Sequence, residues 1–280
     1  MLTIKAPAKI NWFLLVTGKR PDGFHNIQSL MQCVSLFDTL EFEPADGITI
    51  DSDSDIPIHD NLVYKAAMLL KERSGATGGA RISLKKQMPL SAGLGGGSSD
   101  AASTLLGLND LWGLGLGLER LMELGAELGS DVPFFISGGP ALVSGRGELL
   151  EPLLKGPSSA IALIKPAIGV SAGFAYSGIE SLSKDTIPPA TVKKAVERGR
   201  ITDIVPLMKN DLEPPVFRAH PEVHKIKIAL LNSGAQASLM SGSGSTVFGA
   251  FESEDDASQA VEAVKNDLGP DLWSAVVRTI

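Results

Sequence analysis

Apolar positions along this chain switch between the two-residue period of a strand and the 3.6-residue period of a helix, in both halves. Residues 2–6 and 10–16 read as strands, with shorter ones at 40–42 and 48–51. Leu62, Ala66, Leu69 and Leu70 share one face of a helix over 61–73, and 80–84 alternates like a strand. Helices follow at 99–108 and 118–128, then an apolar segment at 132–135, a Gly-Gly-Pro turn at 138–140 and a strand at 141–144. Composition loosens near 152–157, which sets the expected boundary between two lobes, 1–152 and 153–280. Beyond it, 160–164, 237–240, 246–251 and 273–278 read as strands. The stretch 171–231 is mostly helical, broken at Pro188-Pro189 and Pro214-Pro215. A helix over 255–265 carries Asp255 and Asp256 at its positive end. The interleaving lacks the strict rhythm of a doubly wound sheet, so the expected class is α+β in two lobes.

Residues 89–102, P-L-S-A-G-L-G-G-G-S-S-D-A-A, join a glycine-rich run to an Ala/Leu helix. Without Cβ atoms, the backbone amides around Gly93, Gly95, Gly96 and Gly97 can turn toward one anion. The helix N-terminus adds unpaired donors and about half a positive charge. Those are the parts of a phosphate cradle, with Ser98 or Ser99 expected to cap the helix. No lysine follows, so this is not a Walker A loop, and Ser98 stands where the third glycine of a dinucleotide fingerprint belongs. A flexible turn ahead of an ordinary helix is the alternative, at a considerable cost in chain entropy.

The chain has 280 residues, 44% apolar and 20% charged, the make-up of an ordinary globule with room for one large domain or two modest ones. Its net charge of −7 without a basic block argues against a nucleic-acid partner. An acidic chain that handles phosphates must gather its cations locally; Lys9, Lys19, Arg20, Lys85 and Lys86 are the candidates near the start. The single cysteine, Cys33, excludes an internal disulfide, suits a reducing compartment and is expected to serve packing. The apolar run at 10–16 is short, contains Asn11 and leads into Lys19-Arg20-Pro21 without a small-residue cleavage site, unlike a signal peptide. No stretch approaches the ~20 apolar residues of a membrane span. A cytoplasmic protein with no membrane partner is the expectation.

Lys9 and Asn11 are two apart in Pro7-Ala8-Lys9-Ile10-Asn11 and so fall on one face of a strand. A solvated face is the plain reading of such a lysine, but a phosphate loop without its own lysine still needs a cation. Asp131 enters the apolar segment 132–135; it is either a turn residue or a buried carboxylate able to accept a proton from a hydroxyl. The turn G-K-R-P-D-G-F-H at 18–25 carries Phe24 and His25, unusual for an exposed tip and typical of a ligand-binding loop. Ser241-Gly242-Ser243-Gly244-Ser245 is a second loop of backbone donors. Gly169-Val170-Ser171-Ala172-Gly173 matches the G-x-S-x-G elbow of serine hydrolases, followed by Asp203 or Asp211 and His220 or His224 in hydrolase order. Pro166 and Gly169 interrupt the strand such an elbow requires.

Taken together, these stretches resemble the GHMP kinases, the family of galactokinase, homoserine kinase and mevalonate kinase. The loop formed by Pro89, Leu90, Ser91, Ala92, Gly93, Leu94, Gly95, Gly96, Gly97, Ser98 and Ser99 is similar to their ATP-phosphate motif, and 241–245 to their C-terminal glycine motif. P-A-K-I-N at 7–11, R-P-D-G-F-H at 20–25, G-G-G-S-S-D-A-A at 95–102 and L-G-S-D-V-P-F-F at 128–135 are most similar to members acting on a cytidine diphosphate alcohol. The resemblance implies a ribosomal-protein-like N-terminal lobe, a ferredoxin-like C-terminal lobe and an active site between them. It implies transfer of the ATP γ-phosphate to the tertiary 2-hydroxyl of a methylerythritol unit, with Mg2+ arriving on ATP near Ser99 and its ligands unassigned. By position Lys9 and Asp131 match the catalytic pair, the carboxylate taking the hydroxyl proton and the ammonium keeping it ionised and steadying the phosphoryl group. Asn11 would reach the erythritol hydroxyls and His25 the cytosine. Phe24 stands where the family usually has tyrosine, and Tyr176, with Phe174 as competitor, would stack on the base. A kinase of another small alcohol, a decarboxylase of a phosphorylated one and a non-catalytic ATP-binding module remain as alternatives.

Overall fold

In the computed structural model, which describes residues 1–53 and 56–280, the first apolar stretch forms one uninterrupted strand, β1 (Leu2–Lys19). It was expected as two pieces. The polar residues Lys9 and Asn11 are as buried as Ala8, Ile10 and Trp12 around them, so the pattern does not break where polarity changes. Its partner β2 (His25–Ala45) is longer still, and only its last residues carry a readable alternation. Gln28, Ser29 and Gln32 lie buried within β2, which hides its period.

One compact unit comprises Met1–Ala8, Leu36–Pro89 and Gly95–Gly138. In it the end of β2 pairs antiparallel with β4 (Gly79–Lys85), Thr39 opposite Lys85, and β3 (Ile48–Ser52) runs parallel to β4. Helices α1 (Leu62–Ser74), α2 (Gly96–Leu111), α3 (Leu118–Leu128) and α4 (Val132–Ser137) pack on one another. Asn61 caps α1 by accepting from the Val63 amide at 2.9 Å, and Gly75 ends the helix at φ 70°. Phe42, Leu70, Ile82 and Leu105 are fully buried, each side chain worth about 1.5–3 kcal/mol of burial. A Cβ on Gly107 would stand 2.6 Å from the Phe42 ring, so glycine lets α2 seat against β2.

The other unit comprises Lys9–Ser35, Leu90–Leu94 and Gly139–Ile280. The early part of β2 pairs with β5 (Ala141–Ser144), which pairs with β6 (Leu149–Pro152). Next come β7 (Ala160–Lys165), α5 (Ala172–Ser177), α6 (Pro189–Glu197), α7 (Ile201–Ile204), α8 (Glu213–Ala219) and α9 (Pro221–Asn232). They are followed by β8 (Ala237–Met240), β9 (Val247–Phe251), α10 (Glu254–Leu268) and β10 (Trp273–Arg278). The prolines at 188–189 and 214–215 start α6 and α8, as fits a residue that lacks an N–H but has helical φ. Strands β10, β7, β9 and β8 form an antiparallel sheet in that order, with α9 and α10 packed on it. That order is the ferredoxin-like arrangement expected for the C-terminal lobe. Ile164, Leu230, Phe251 and Val264 lie at its core.

Candidate active site

In the first unit β4 leads to Pro89 and α2 begins directly after Gly95, while Leu90–Leu94 of the glycine-rich loop belong to the second unit. Gly95 caps α2 at φ 73°, a left-handed conformation that glycine adopts without strain. Ser98 and Ser99 are therefore not the caps, contrary to the sequence expectation; they lie in the first turn. The Ser99 amide donates to the Gly95 carbonyl at 2.9 Å, while the preceding amides of Gly96, Gly97 and Ser98 have no acceptor within the helix. Three donors at the positive end of a sixteen-residue helix make an anion seat. The Ser99 hydroxyl is buried and has no hydrogen-bond partner, an exception that calls for a ligand or ion in a native site.

Directly behind this seat lies an ion cluster. The Lys86 ammonium bonds Asp38 Oδ2 and, at 2.6 Å, Asp100 Oδ2. Asp38 Oδ1 accepts from the amides of Gln87 at 2.5 Å and Met88 at 2.9 Å. Burial is the main force that pushes the Asp100 carboxyl up to about 7; the Lys86 charge opposes it and the Asp38 carboxylate adds to it. Lys86 is itself held above the usual lysine value by the two carboxylates, against its burial. Lys86 was visible in the sequence as a candidate cation, but Asp38 and Asp100 were missed. A carboxylate inside the Ser-Ser-Asp-Ala-Ala run of a buried helix was the available signal.

Asp131 precedes α4 at φ −85°, ψ −10°, and its side chain does not cap that helix. Its position follows from close packing of small residues. A Cβ on Gly125 would lie 2.9 Å from Val132, and one on Gly129 would lie 3.7 Å from the Ser98 hydroxyl. The turn that carries Asp131 thus borders the first turn of α2 inside this unit.

The second unit holds Lys9, Asn11, Phe24, His25, Tyr176, Leu90–Leu94 and the 241–245 loop. Lys9 Nζ donates to Asn11 Oδ1 at 2.6 Å, Asn11 Nδ2 to the Ser29 hydroxyl at 2.8 Å, and that hydroxyl to the Phe13 carbonyl at 2.6 Å. The lysine is 4% exposed, which excludes the solvated-face reading. The Lys9 amide donates to the Leu94 carbonyl, tying the first glycine loop to β1. Ser241 Oγ donates to the Gly93 carbonyl at 3.0 Å, and the Thr246 amide to Ala92 at 3.2 Å, so the two glycine loops are laced together. A Cβ on Gly93 would stand 2.1 Å from the Ser241 carbonyl; only glycine permits the approach.

In the 20–25 turn, Asp22 accepts from the Phe24 amide at 3.1 Å, leaving Phe24 half exposed under the Arg146 guanidinium, 5.2 Å from its ring centre. His25 stacks on Tyr176 with ring centres 5.3 Å apart and planes 20° apart. Burial, with help from the Lys19 charge, lowers the His25 pKa, which favours the neutral imidazole. Phe174 instead meets His220 edge-on at 5.8 Å. Ser171 caps α5 by accepting from the Phe174 amide at 3.2 Å, Asp203 pairs with Arg200, and His224 stacks on Phe217. Burial pushes the Cys33 thiol up to about 12, in keeping with a packing role. Among the described residues no group of three or more His, Cys, Asp or Glu side chains forms a metal nest, and no helix is long and apolar enough to cross a membrane.

A glycine cradle at a helix N-terminus, a second glycine loop and a ferredoxin-like lobe define a class. Residues 61–139 match the GHMP kinases N terminal domain and residues 192–271 the GHMP kinases C terminal domain. The chain belongs to the GHMP kinases and is an ATP-dependent small-molecule kinase. Its relatives are more particular. It is 42% identical to the 4-diphosphocytidyl-2-C-methyl-D-erythritol kinase of Thermodesulfovibrio yellowstonii, over 100% of this chain and 98% of that one. The kinase of the same name from Pelotomaculum thermopropionicum is 45% identical over 89% of this chain and 88% of its own. A crystal structure of 4-(cytidine 5'-diphospho)-2C-methyl-D-erythritol kinase matches with a TM-score of 0.83 at 36% identity, covering 99% of both chains. The homoserine kinase of Cytophaga hutchinsonii matches at 0.76 and 21% identity over 100% of this chain and 94% of its own, a likeness of fold alone.

Proposed function

We propose that this kinase transfers the γ-phosphoryl group of ATP to the 2-hydroxyl of 4-diphosphocytidyl-2-C-methyl-D-erythritol, a step of non-mevalonate isoprenoid precursor synthesis. The observation that carries the reading is the 42% identity to a kinase of that name along the whole of both chains. Along the sequence we divide its lobes into 1–152 and 153–280, although Lys9–Ser35, Leu90–Leu94 and residues 139–152 pack in the compact unit of the C-terminal half. It works in the cytoplasm, without membrane or nucleic-acid partners.

Phosphoryl transfer asks mainly for alignment and neutralised charge. The loop from Pro89 to Ser99 grips the ATP phosphates through its amides. Lys9, oriented by Asn11, neutralises charge on the acceptor oxygen and the transferring group. Asp131 accepts the hydroxyl proton. Asn11 contacts the erythritol hydroxyls, and Phe24, His25 and Tyr176 receive the cytosine. A neutral His25 can both donate to and accept from a base edge. The buried, unpartnered Ser99 hydroxyl fits a magnesium ion carried in by ATP, since Mg2+ takes few protein oxygens and shares the rest with phosphates. When bound, that ion offsets the negative charge of the transferring group.

Incubation with ATP and the cytidylyl alcohol, followed by phosphorus NMR, tests the assignment. A new phosphomonoester on the tertiary 2-carbon, with ADP in equal amount, is expected. An intact alcohol after prolonged incubation contradicts it.

A further inference from the structure

We propose that Asn210 is a positioning residue for the phosphoryl transfer: by holding the carbonyls of Met240 and Gly242, it fixes the second glycine loop against the Lys9 ammonium. The proposal deepens the reading above, since it rests on Lys9 acting in the transfer.

Asn210 is 2% exposed and its carboxamide is fully used. Nδ2 donates to the Met240 and Gly242 carbonyls, both at 2.8 Å, and Oδ1 accepts from the Leu212 amide at 2.9 Å. The residues around it bind the strand that carries Lys9. Leu14 N donates to Lys209 O at 2.7 Å, Asp211 N to Leu14 O at 2.9 Å, and Val16 N to Asp211 Oδ2 at 2.8 Å. On the other side Glu213 Oε1 accepts from the Met240 amide at 2.9 Å while Oε2 pairs with Lys227 at 2.6 Å. The five residues K-N-D-L-E at 209–213 therefore splice β1 to the turn that leaves β8.

That turn is the wall beside the lysine. At Gly242, φ 54°, an added Cβ would stand 3.0 Å from the Gly93 carbonyl, 3.0 Å from Lys9 Nζ and 3.5 Å from Asn11 Oδ1. A lysine stem is flexible, so its ammonium is placed by the bond to Asn11 together with the wall beside it. A fully satisfied buried carboxamide makes such a wall rigid. Displacing a reacting group by about 1 Å costs on the order of 100-fold in rate.

The test compares Asn210→Asp, Asn210→Ala and Gly242→Ala with the wild type, measuring kcat, KM for ATP, ADP binding by calorimetry and thermal melting. In Asn210→Asp one oxygen still accepts from Leu212, but the other, when ionised, faces two carbonyls with no hydrogen between them. Protonation restores one donor. The folded variant should therefore turn over about 100-fold more slowly at pH 8, and its deficit should shrink at pH 6. Asn210→Ala should lose kcat at every pH while still binding ADP. Gly242→Ala, which leaves the Asn210 side chain intact, should lower kcat about 10-fold or more, because its methyl, on a left-handed residue, presses on both Nζ and the Gly93 carbonyl. Wild-type turnover by any folded member of the three overturns the proposal. So does a loss that tracks the unfolded fraction with a flat pH ratio. A wild-type protein inert toward the cytidylyl alcohol would instead sink the functional reading, before any variant is compared.

Discussion

Lys9 and Asn11 stand on one face of β1, and the lysine ammonium donates to the asparagine carbonyl oxygen across 2.6 Å. The asparagine cannot turn away, because its amide nitrogen is held by Ser29, whose hydroxyl is held in turn by the Phe13 carbonyl. A buried ammonium is thus aimed through a relay of three neutral groups on two strands. Replacing Lys9 with alanine should lower kcat by about 100-fold or more while leaving ATP affinity nearly intact. Stopped-flow turnover together with calorimetric ATP binding separates the two effects.

Asp131 offers the complementary test. Asp131→Asn keeps the shape and removes the basicity, so kcat should fall by roughly 100- to 10,000-fold with little change in melting temperature. A rate near that of the wild type would show that another group takes the hydroxyl proton.

Gly95 caps α2 in a left-handed conformation. Valine at that position meets a backbone penalty of about 1–2 kcal/mol and puts a branched side chain beside the first-turn amides of α2. Gly95→Val should raise the ATP KM by 10-fold or more and weaken nucleotide binding in the same proportion. Unchanged nucleotide affinity would mean that the first-turn amides do not face the phosphates.

Asp100 makes a pH prediction. Its carboxyl is pushed up to about 7 in the fold, above its ordinary 3.8, chiefly by burial. Between those values the folded protein holds a proton that the unfolded chain has released, so this group's contribution falls as pH rises through the window. Asp100→Asn needs no proton. From pH 4.5 to 7.5 the wild-type melting temperature should therefore drop relative to that of the variant, by scanning calorimetry. Parallel curves would show that Asp100 is ionised throughout.

The glycine loop ahead of α2 and the Lys9–Asn11 pair were legible because their pattern is local: a glycine run before an Ala/Leu helix, and two polar residues two apart on a strand. The strand β2 was not, because Gln28, Ser29 and Gln32 find partners inside the fold at Ile187, Phe13 and Trp12 and so sit where apolar residues were expected. Ser98 and Ser99 read as caps by type, but Gly95 takes that place, since the chain turns into α2 through a left-handed residue. Asp38, Lys86 and Asp100 are 48 and 14 residues apart in sequence, and only the fold brings them together. Asn210 was invisible for the same reason: its partners, Met240 and Gly242, lie 30 and 32 residues away.

The most direct test is an ADP-release assay with the cytidylyl alcohol set against mevalonate and homoserine, all at matched concentrations. Turnover of the cytidylyl alcohol at least 100-fold above either competitor is the predicted result, because a site that hydrogen-bonds a base rejects acceptors without one. Equal turnover of mevalonate or homoserine would contradict the assignment.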